Sequence, residues 1–343
     1  MKLRSGDWVE VRCKEEILGT LDGRGRLDGL PFMPQMFRYC GQRARVYKRA
    51  HKTCEWVYTL MSRRVPRAVH LDFRCDGEAY GGCQTLCLIY WKEDWLEPAK
   101  ASRKASTGKI RSEIRRAETA VCTEADVWAG TLEGDPDGKG EPRYICQGTQ
   151  VPDFSTPLHR LDFRQYLEDY TSGNFGLGRV LLGLYNALAN RRRIGRPLRW
   201  FYDVVQRIRS GTLYPNKKGT VPAGQRTPTC ELNLQPGEMV RVKSYEEILS
   251  TLNARGENRG LHFDAEMTPY CGGTYRVKKR LNKYIDEKTG KLMTMKNEVI
   301  VLEDVICQSR FSTCRILCPR SIYSWWREIW LERIPEISEG PPG

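Results

Sequence analysis

The chain has 343 residues, with 56 Lys and Arg against 42 Asp and Glu, a formal charge of +14 and 13 cysteines. That length predicts two or three domains, and no apolar run approaches the ~18 residues of a membrane span. The opening Met1-Lys2-Leu3-Arg4-Ser5 lacks the apolar core of a secretory signal, so the expectation is a soluble cytoplasmic protein. In a reducing compartment, patterned cysteines bind metal or do chemistry more often than they pair as disulfides.

Along the chain, Val9 and Val11 alternate with Trp8 and Glu10, the pattern of a half-buried strand. Residues 15–21 read as a short helix or turn, and Asp22-Gly23-Arg24-Gly25 as turn chemistry. Residues 44–48 and 69–73 read as further strands, 83–90 as a helix, and Trp95-Leu96-Glu97 as a closing strand. The first hundred residues carry Cys40, Cys75, Cys83 and Cys87, spaced C-x34-C-x7-C-x3-C.

The middle region is basic. Residues 155–228 hold thirteen Lys and Arg against four Asp and Glu, a surplus that favours an anionic partner. Asp135-Pro136-Asp137-Gly138-Lys139-Gly140 lacks the later ligands of a calcium loop and reads as a hairpin turn. Helices are predicted over 157–170, 177–193 and 198–208, the last with Trp200, Phe201, Val204, Val205 and Ile208 as an apolar stripe. Such stripes usually pack on a core; with basic ends they also suit an anionic membrane surface. Arg191, Arg192, Arg193, Arg196, Arg199, Lys217 and Lys218 are the candidate anion-binding residues. The Pro-, Gly- and Lys-rich stretch from Tyr214 to Pro228 reads as a linker.

The last hundred residues repeat the first. Gly6 to Arg49 aligns without a gap onto Gly237 to Arg280, with about half of the positions identical. Trp91-x3-Trp95-Leu96-Glu97 recurs as Trp326-x3-Trp330-Leu331-Glu332, and the cysteines recur as Cys271, Cys307, Cys314 and Cys318. Residues 274–278 and 299–302 read as strands, the latter after a turn at Asp286 to Gly290, and residues 314–325 as a helix. The second copy has four extra residues between its last cysteine and its tryptophans, about one helical turn.

Four thiolates fill a tetrahedral metal site. A helical C-x3-C places two sulfurs on one face, and the remaining two cysteines of each copy supply the third and fourth ligands. The predicted metal ligands are Cys40, Cys75, Cys83 and Cys87, and Cys271, Cys307, Cys314 and Cys318. Two Zn2+ per chain are expected, with an iron–sulfur cluster such as [4Fe-4S] as the alternative. Buried core thiols and disulfide or redox pairs are the bland readings. Lys48, Arg49 and Arg74, with Lys279, Arg280 and Arg310, are placed to offset thiolate charge. His70 reads as an ordinary strand histidine, and Trp8, Tyr39 and Trp91 as core. Cys54 is a reactive thiol only if His51 and Lys52 lie against it. Cys122 and Cys146 are too few to fill a site by themselves.

The Gly-Asp-x-Val-x-Val opening of the first copy, with its meander of strands, resembles an SH3-like or KOW-type barrel, which implies a small module that binds RNA or protein. The cysteine pattern is also similar to that of cysteine-rich bacterial proteins with a duplicated domain, which implies no particular activity.

The sequence has no phosphate-binding P-loop, no H-E-x-x-H, no G-x-S-x-G and no dinucleotide fingerprint. The expected fold is α+β: two duplicated small β-rich, SH3-like barrel-type domains with four-cysteine inserts at 1–100 and 231–336. They flank a basic, partly helical middle at 101–230, and 337–343 form a disordered tail. The expected function is that of a zinc-stabilised binding protein for an anionic macromolecule, with nucleic acid preferred over acidic protein or an anionic membrane surface. A thiol- or Fe–S-dependent enzyme or enzyme accessory in a biosynthetic pathway is the alternative.

Overall fold

The computed structural model describes residues 2–55, 57, 61–99, 122–134, 140–191, 194–209, 211–215, 218–312 and 315–335. Residues 135–139 of the expected turn, Arg192, Arg193, Lys217, Cys314 and the expected tail 337–343 lie outside these.

The protein is mixed α+β and is built around two five-stranded antiparallel sheets of the same design. In the first copy β1 is Trp8–Val11, β2 Arg43–Arg49, β3 Ala68–Arg74, β4 Leu88–Lys92 and β5 Leu96–Pro98, in the spatial order β4-β3-β2-β1-β5. In the second, β6 is Met239–Val242, β7 Thr274–Arg280, β8 Ile300–Ile306, β9 Tyr323–Trp326 and β10 Leu331–Arg333, in the order β9-β8-β7-β6-β10. The registers agree pair for pair: Val9 faces Ala44 and Pro98, and Val240 faces Tyr275 and Arg333.

Each sheet is curled into a half-barrel, and chain length requires it. β4 and β5 lie at opposite edges, yet only the 3-10 turn Glu93–Trp95 joins them. Five flat strands would hold their edges ~19 Å apart. The step from Lys92 to Leu96 reaches at most ~15 Å when fully extended, and much less in a 3-10 turn. Glu328–Trp330 makes the same join in the second copy.

The tryptophans explain why the turn is kept. Trp91, Trp95, Trp326 and Trp330 are all fully buried. Phe32 meets Trp95 edge-on at 5.1 Å, and Phe263 meets Trp330 edge-on at 5.3 Å. The indole N–H of Trp95 donates to Thr20 Oγ1 at 3.1 Å, and that of Trp330 to Thr251 Oγ1 at 2.9 Å. Beside them Arg49 meets Glu93 at 2.6 Å, and Arg280 meets Glu328 at 2.8 Å. These two arginines are therefore held by buried carboxylates rather than set against the thiols. Trp8, expected in the core, is 56% exposed, because its side chain takes the outward face of β1.

The segments 83–90 and 314–325 are not helical among the described residues; β4 and β9 occupy their later parts. Leu86 and its counterpart Leu317 take the left-handed conformation, at φ 54° and 58°, which interrupts a right-handed helix. The run Leu88-Ile89-Tyr90-Trp91 is buried throughout, as a strand covered on both faces is. The four extra residues of the second copy therefore extend a loop rather than a helix.

Other helices are α1 Lys14–Leu18, α2 Glu124–Ala129, α3 Arg164–Thr171, α4 Leu177–Ala189, α5 Gly195–Ile208 and α6 Tyr245–Leu249. The expected middle helices exist, shifted by several residues: Asp162 and Phe163 delay the first, and the second ends at Ala189.

Two compact units divide the chain, and they do not follow the repeat boundaries. One comprises Met1–Leu182, Lys283–Met293 and Leu317–Ser321; the other comprises Gly183–Asn282, Thr294–Ile316 and Ile322–Gly343. Two short pieces of the second copy, including the loop after Leu317, thus belong to the unit built on the first copy.

Candidate metal centre

In the first unit, Cys75, Cys83, Cys87 and Cys146 line one cavity of about 30 Å3, together with Tyr80, Tyr90, Gln147 and Arg320. That volume suits a water-sized occupant. Cys75 leaves the end of β3, and its N–H donates to the Cys87 carbonyl at 2.8 Å, which closes the loop between them. Gly77, at φ 80°, turns the chain back so closely that a Cβ there would stand 1.8 Å from the Cys83 carbonyl oxygen. The Thr85 hydroxyl lies 3.3 Å from both Cys83 Sγ and Cys87 Sγ.

Cys146 comes from outside the repeat, and its neighbour anchors it. Gln147 Oε1 accepts the Tyr90 N–H at 2.8 Å, and its Nε2 donates to the Tyr90 and Pro31 carbonyls at 3.0 Å each. The Cys146 N–H donates to Thr149 Oγ1 at 3.0 Å. Burial, reinforced by the neighbouring Cys87, pushes the Cys146 thiol up to about 12. Burial raises Cys75 and Cys87 as well. Gln35 Nε2 donates to Cys75 Sγ at 3.1 Å.

Of the predicted ligands of the first copy, the structure thus gathers Cys75, Cys83 and Cys87, and it adds Cys146. It does not bring Cys40 to the cavity. Cys40 ends the 3-10 helix Pro34–Tyr39 and lies near Cys13 and Glu15; burial and Cys13 raise its thiol to about 11. Cys271 repeats this placement. It ends the 3-10 helix Ala265–Tyr270 and lies near Glu246, with burial raising it to about 12. Both cysteines precede a glycine of positive φ, Gly41 or Gly272, so the Tyr-Cys-Gly triplet marks the end of that helix.

The predicted second quartet is not gathered among the described residues. Cys307 Sγ lies 3.7 Å from Ser309 Oγ. Cys318 sits in the first unit, hydrogen-bonded to the Cys54 thiol. Burial pushes the Cys318 thiol up, but the Cys54 hydrogen bond and the Arg320 backbone and charge outweigh it and hold the thiol below the usual cysteine range. Arg320 pairs with Glu287, and its Nη1 donates to the Cys54 carbonyl at 3.4 Å.

His51 and Lys52, the condition for a reactive Cys54, point elsewhere. Lys52 Nζ meets Asp169 Oδ2 at 2.6 Å, and His51 Nε2 lies 3.2 Å from Asp169 Oδ1. His70 is fully buried and is not among the cavity residues; its Nδ1 lies 2.9 Å from the Ile89 carbonyl, and burial drops its pKa to about 3. Lys48 Nζ donates to Ser321 Oγ at 2.9 Å, and Arg74 Nη1 donates to the Leu86 carbonyl at 2.9 Å. Arg310 Nη1 donates to Gln308 Oε1 at 3.3 Å. Arg320, from the four-residue insertion, is a cation whose charge reaches Cys87.

Among the described residues, no three His, Cys, Asp or Glu side chains stand close enough, as placed, to hold a metal ion. The four thiols around this small cavity are a soft donor set of the kind that zinc prefers.

The second unit carries the basic helix. On α5, Trp200 is 66% exposed, Phe201 57% and Ile208 80%, with Arg196, Arg207 and Arg209 also exposed. The predicted apolar stripe is therefore outward over these positions. Tyr202 and Leu198 turn inward to a small cluster with Tyr214 and Phe311. Arg199 Nη1 donates to the Ala189 carbonyl, which caps the end of α4. Arg191 and Lys218 are exposed.

Among the described residues no helix is long and apolar enough to cross a membrane. No protein-family model, no curated protein and no solved structure matches this chain.

Proposed function

We propose that the protein is a zinc-stabilised, non-catalytic binding protein whose basic α5 face engages single-stranded nucleic acid. The observation that carries this reading is the outward Trp200–Phe201 pair beside the exposed Arg196, Arg207 and Arg209. Aromatic faces stack on any base, and arginines follow the phosphates. Arg191 and Lys218 extend the basic surface, and the charge surplus of the middle region favours the same partner.

Zinc is the resident ion in this reading, held by Cys75, Cys83, Cys87 and Cys146. Zinc–sulfur bonds of about 2.3 Å place tetrahedral sulfurs about 3.8 Å apart, so in this reading the four side chains draw together when the ion binds. The ion ties the β3–β4 loop to the segment that carries Cys146, so its role is structural. The curled five-stranded sheets support the likeness to SH3-like barrels.

The test is binding of a fluorescent single-stranded oligonucleotide between about 50 and 500 mM salt, where phosphate contacts weaken affinity as salt rises. Affinity that falls linearly on a log–log plot, and falls further in Arg196→Gln and Trp200→Ala, supports the reading. Absent or salt-independent binding contradicts it, as does binding to anionic vesicles alone.

A further inference from the structure

We infer that Arg320 is a positioning residue of the four-cysteine cavity: a guanidinium supplied by the second copy, whose charge offsets the thiolates that the first copy gathers around an ion. This rests on reading that cavity as a zinc site.

The duplication shows that the sheet does not need this arginine. Arg320 lies in the four residues that the second copy carries between its last cysteine and its tryptophans, and the first copy builds the same five strands without them. The stretch Leu317–Ser321 falls in the compact unit built on the first copy. There Ser321 Oγ accepts from Lys48 Nζ at 2.9 Å, and the Ser321 carbonyl accepts from Arg74 Nη2 at 3.2 Å. The insertion is thereby fixed to β2 and β3 of the first copy, and the residue before Ser321 reaches the cavity wall.

Burial gives that charge its weight. Among the described residues that line the cavity, Arg320 is the one Lys or Arg. Its side chain is 4% exposed, whereas that of its partner Glu287 is 27% exposed. Water screens the carboxylate more than the guanidinium, so the pair does not cancel toward the interior. Four thiolates around a dication leave net negative charge, which is costly to bury without a cation beside it. A guanidinium stays protonated wherever thiolates bind.

A hairpin of the second copy braces the same walls. Lys283–Met293 belongs to the same unit. The Gln84 N–H donates to the Lys283 carbonyl at 3.0 Å, and the Lys283 N–H donates to Gln84 Oε1 at 3.2 Å. The Tyr144 N–H donates to the Gly290 carbonyl at 2.8 Å, and Ile285 lines the cavity. The hairpin thus grips both segments that carry the cysteines, and its Glu287 holds Arg320 in place before an ion binds.

Zinc affinity of the full chain, measured by competition with a chelating indicator at fixed pH and salt, tests the inference. Arg320→Gln is expected to bind zinc about tenfold more weakly or worse, and Arg320→Lys, which keeps the charge, to stay within about threefold of the wild type. Wild-type affinity in Arg320→Gln, or equal weakening in both variants, overturns the inference and leaves the zinc site standing. A wild type that binds no zinc overturns both. If Arg320→Gln does not fold, Glu287→Gln decides. It keeps an acceptor for Arg320 and removes the opposing charge, so zinc should bind severalfold more tightly; unchanged or weaker binding overturns the inference.

Discussion

The backbone N–H of Cys75 donates to the carbonyl of Cys87 at 2.8 Å, so two cysteines twelve positions apart are joined through the main chain before any metal is considered. A preformed loop of this kind lowers the entropy lost when side chains converge on an ion.

Gly77 should be the most sensitive position in that loop that is not itself a ligand. At φ 80°, with its Cβ direction filled by the Cys83 carbonyl, an alanine must displace the backbone that carries Cys83. Gly77→Ala is expected to weaken zinc retention and to lower stability by more than the ~1 kcal/mol that an unstrained Gly→Ala replacement adds. A chelator titration followed by thermal unfolding checks this. Wild-type behaviour in both would show that the loop yields easily.

Glu328 is the electrostatic pin of the second sheet. It pairs with Arg280 and accepts the N–H groups of Leu232, Asn233 and Leu234 at 2.6–3.0 Å. Glu328→Ala leaves that cation and those donors without their shared acceptor. Removing one partner of a buried pair costs about 3–5 kcal/mol. Denaturant unfolding should show a loss of that order, and a loss below about 1 kcal/mol would mean that the pair is effectively solvated.

His70 makes the first sheet sensitive to acid. Burial lowers its pKa from 6.5 to about 3, so the folded state holds it neutral while an unfolded chain protonates it. Its stabilising contribution is whole above about pH 6.5 and is lost as pH falls toward 3, amounting to ~2 kcal/mol by pH 5. His70→Gln should lose less stability than the wild type between pH 7 and 5. Parallel losses would remove His70 as the cause.

Zinc affinity should also fall with pH. Burial holds Cys75, Cys87 and Cys146 as neutral thiols before an ion binds, and binding as thiolates must release those protons. Competition against a metal indicator from pH 8 to 6 should show progressively weaker binding. An affinity that does not change with pH would mean that the thiols do not ligate.

The duplicated register was legible from residues alone because it runs without a gap through Val9, Glu15, Ile17 and Cys40, and because buried pairs such as Trp91 and Trp95 recur intact. The paired sheets follow from it. The site was only partly legible. Cys40 and Cys271 recur because they end matching 3-10 helices, and recurrence by itself does not separate that role from ligation. C-x3-C suits a helix face, but the left-handed Leu86 and Leu317 are invisible in the spacing. Cys146 and Cys54 lie outside the repeated pattern. The available signal was arithmetical, since unmatched cysteines remained after the two quartets were filled. The outward face of α5 resembles a core stripe in sequence, because periodicity shows that one face is apolar and not what covers it.

The most direct measurement is the zinc content of wild type, Cys146→Ser and Cys40→Ser prepared side by side. Convergence of Cys75, Cys83, Cys87 and Cys146 on one ion predicts that Cys146→Ser loses about one zinc per chain while Cys40→Ser keeps the wild-type content. A wild type without zinc, or a loss in Cys40→Ser with none in Cys146→Ser, would contradict it.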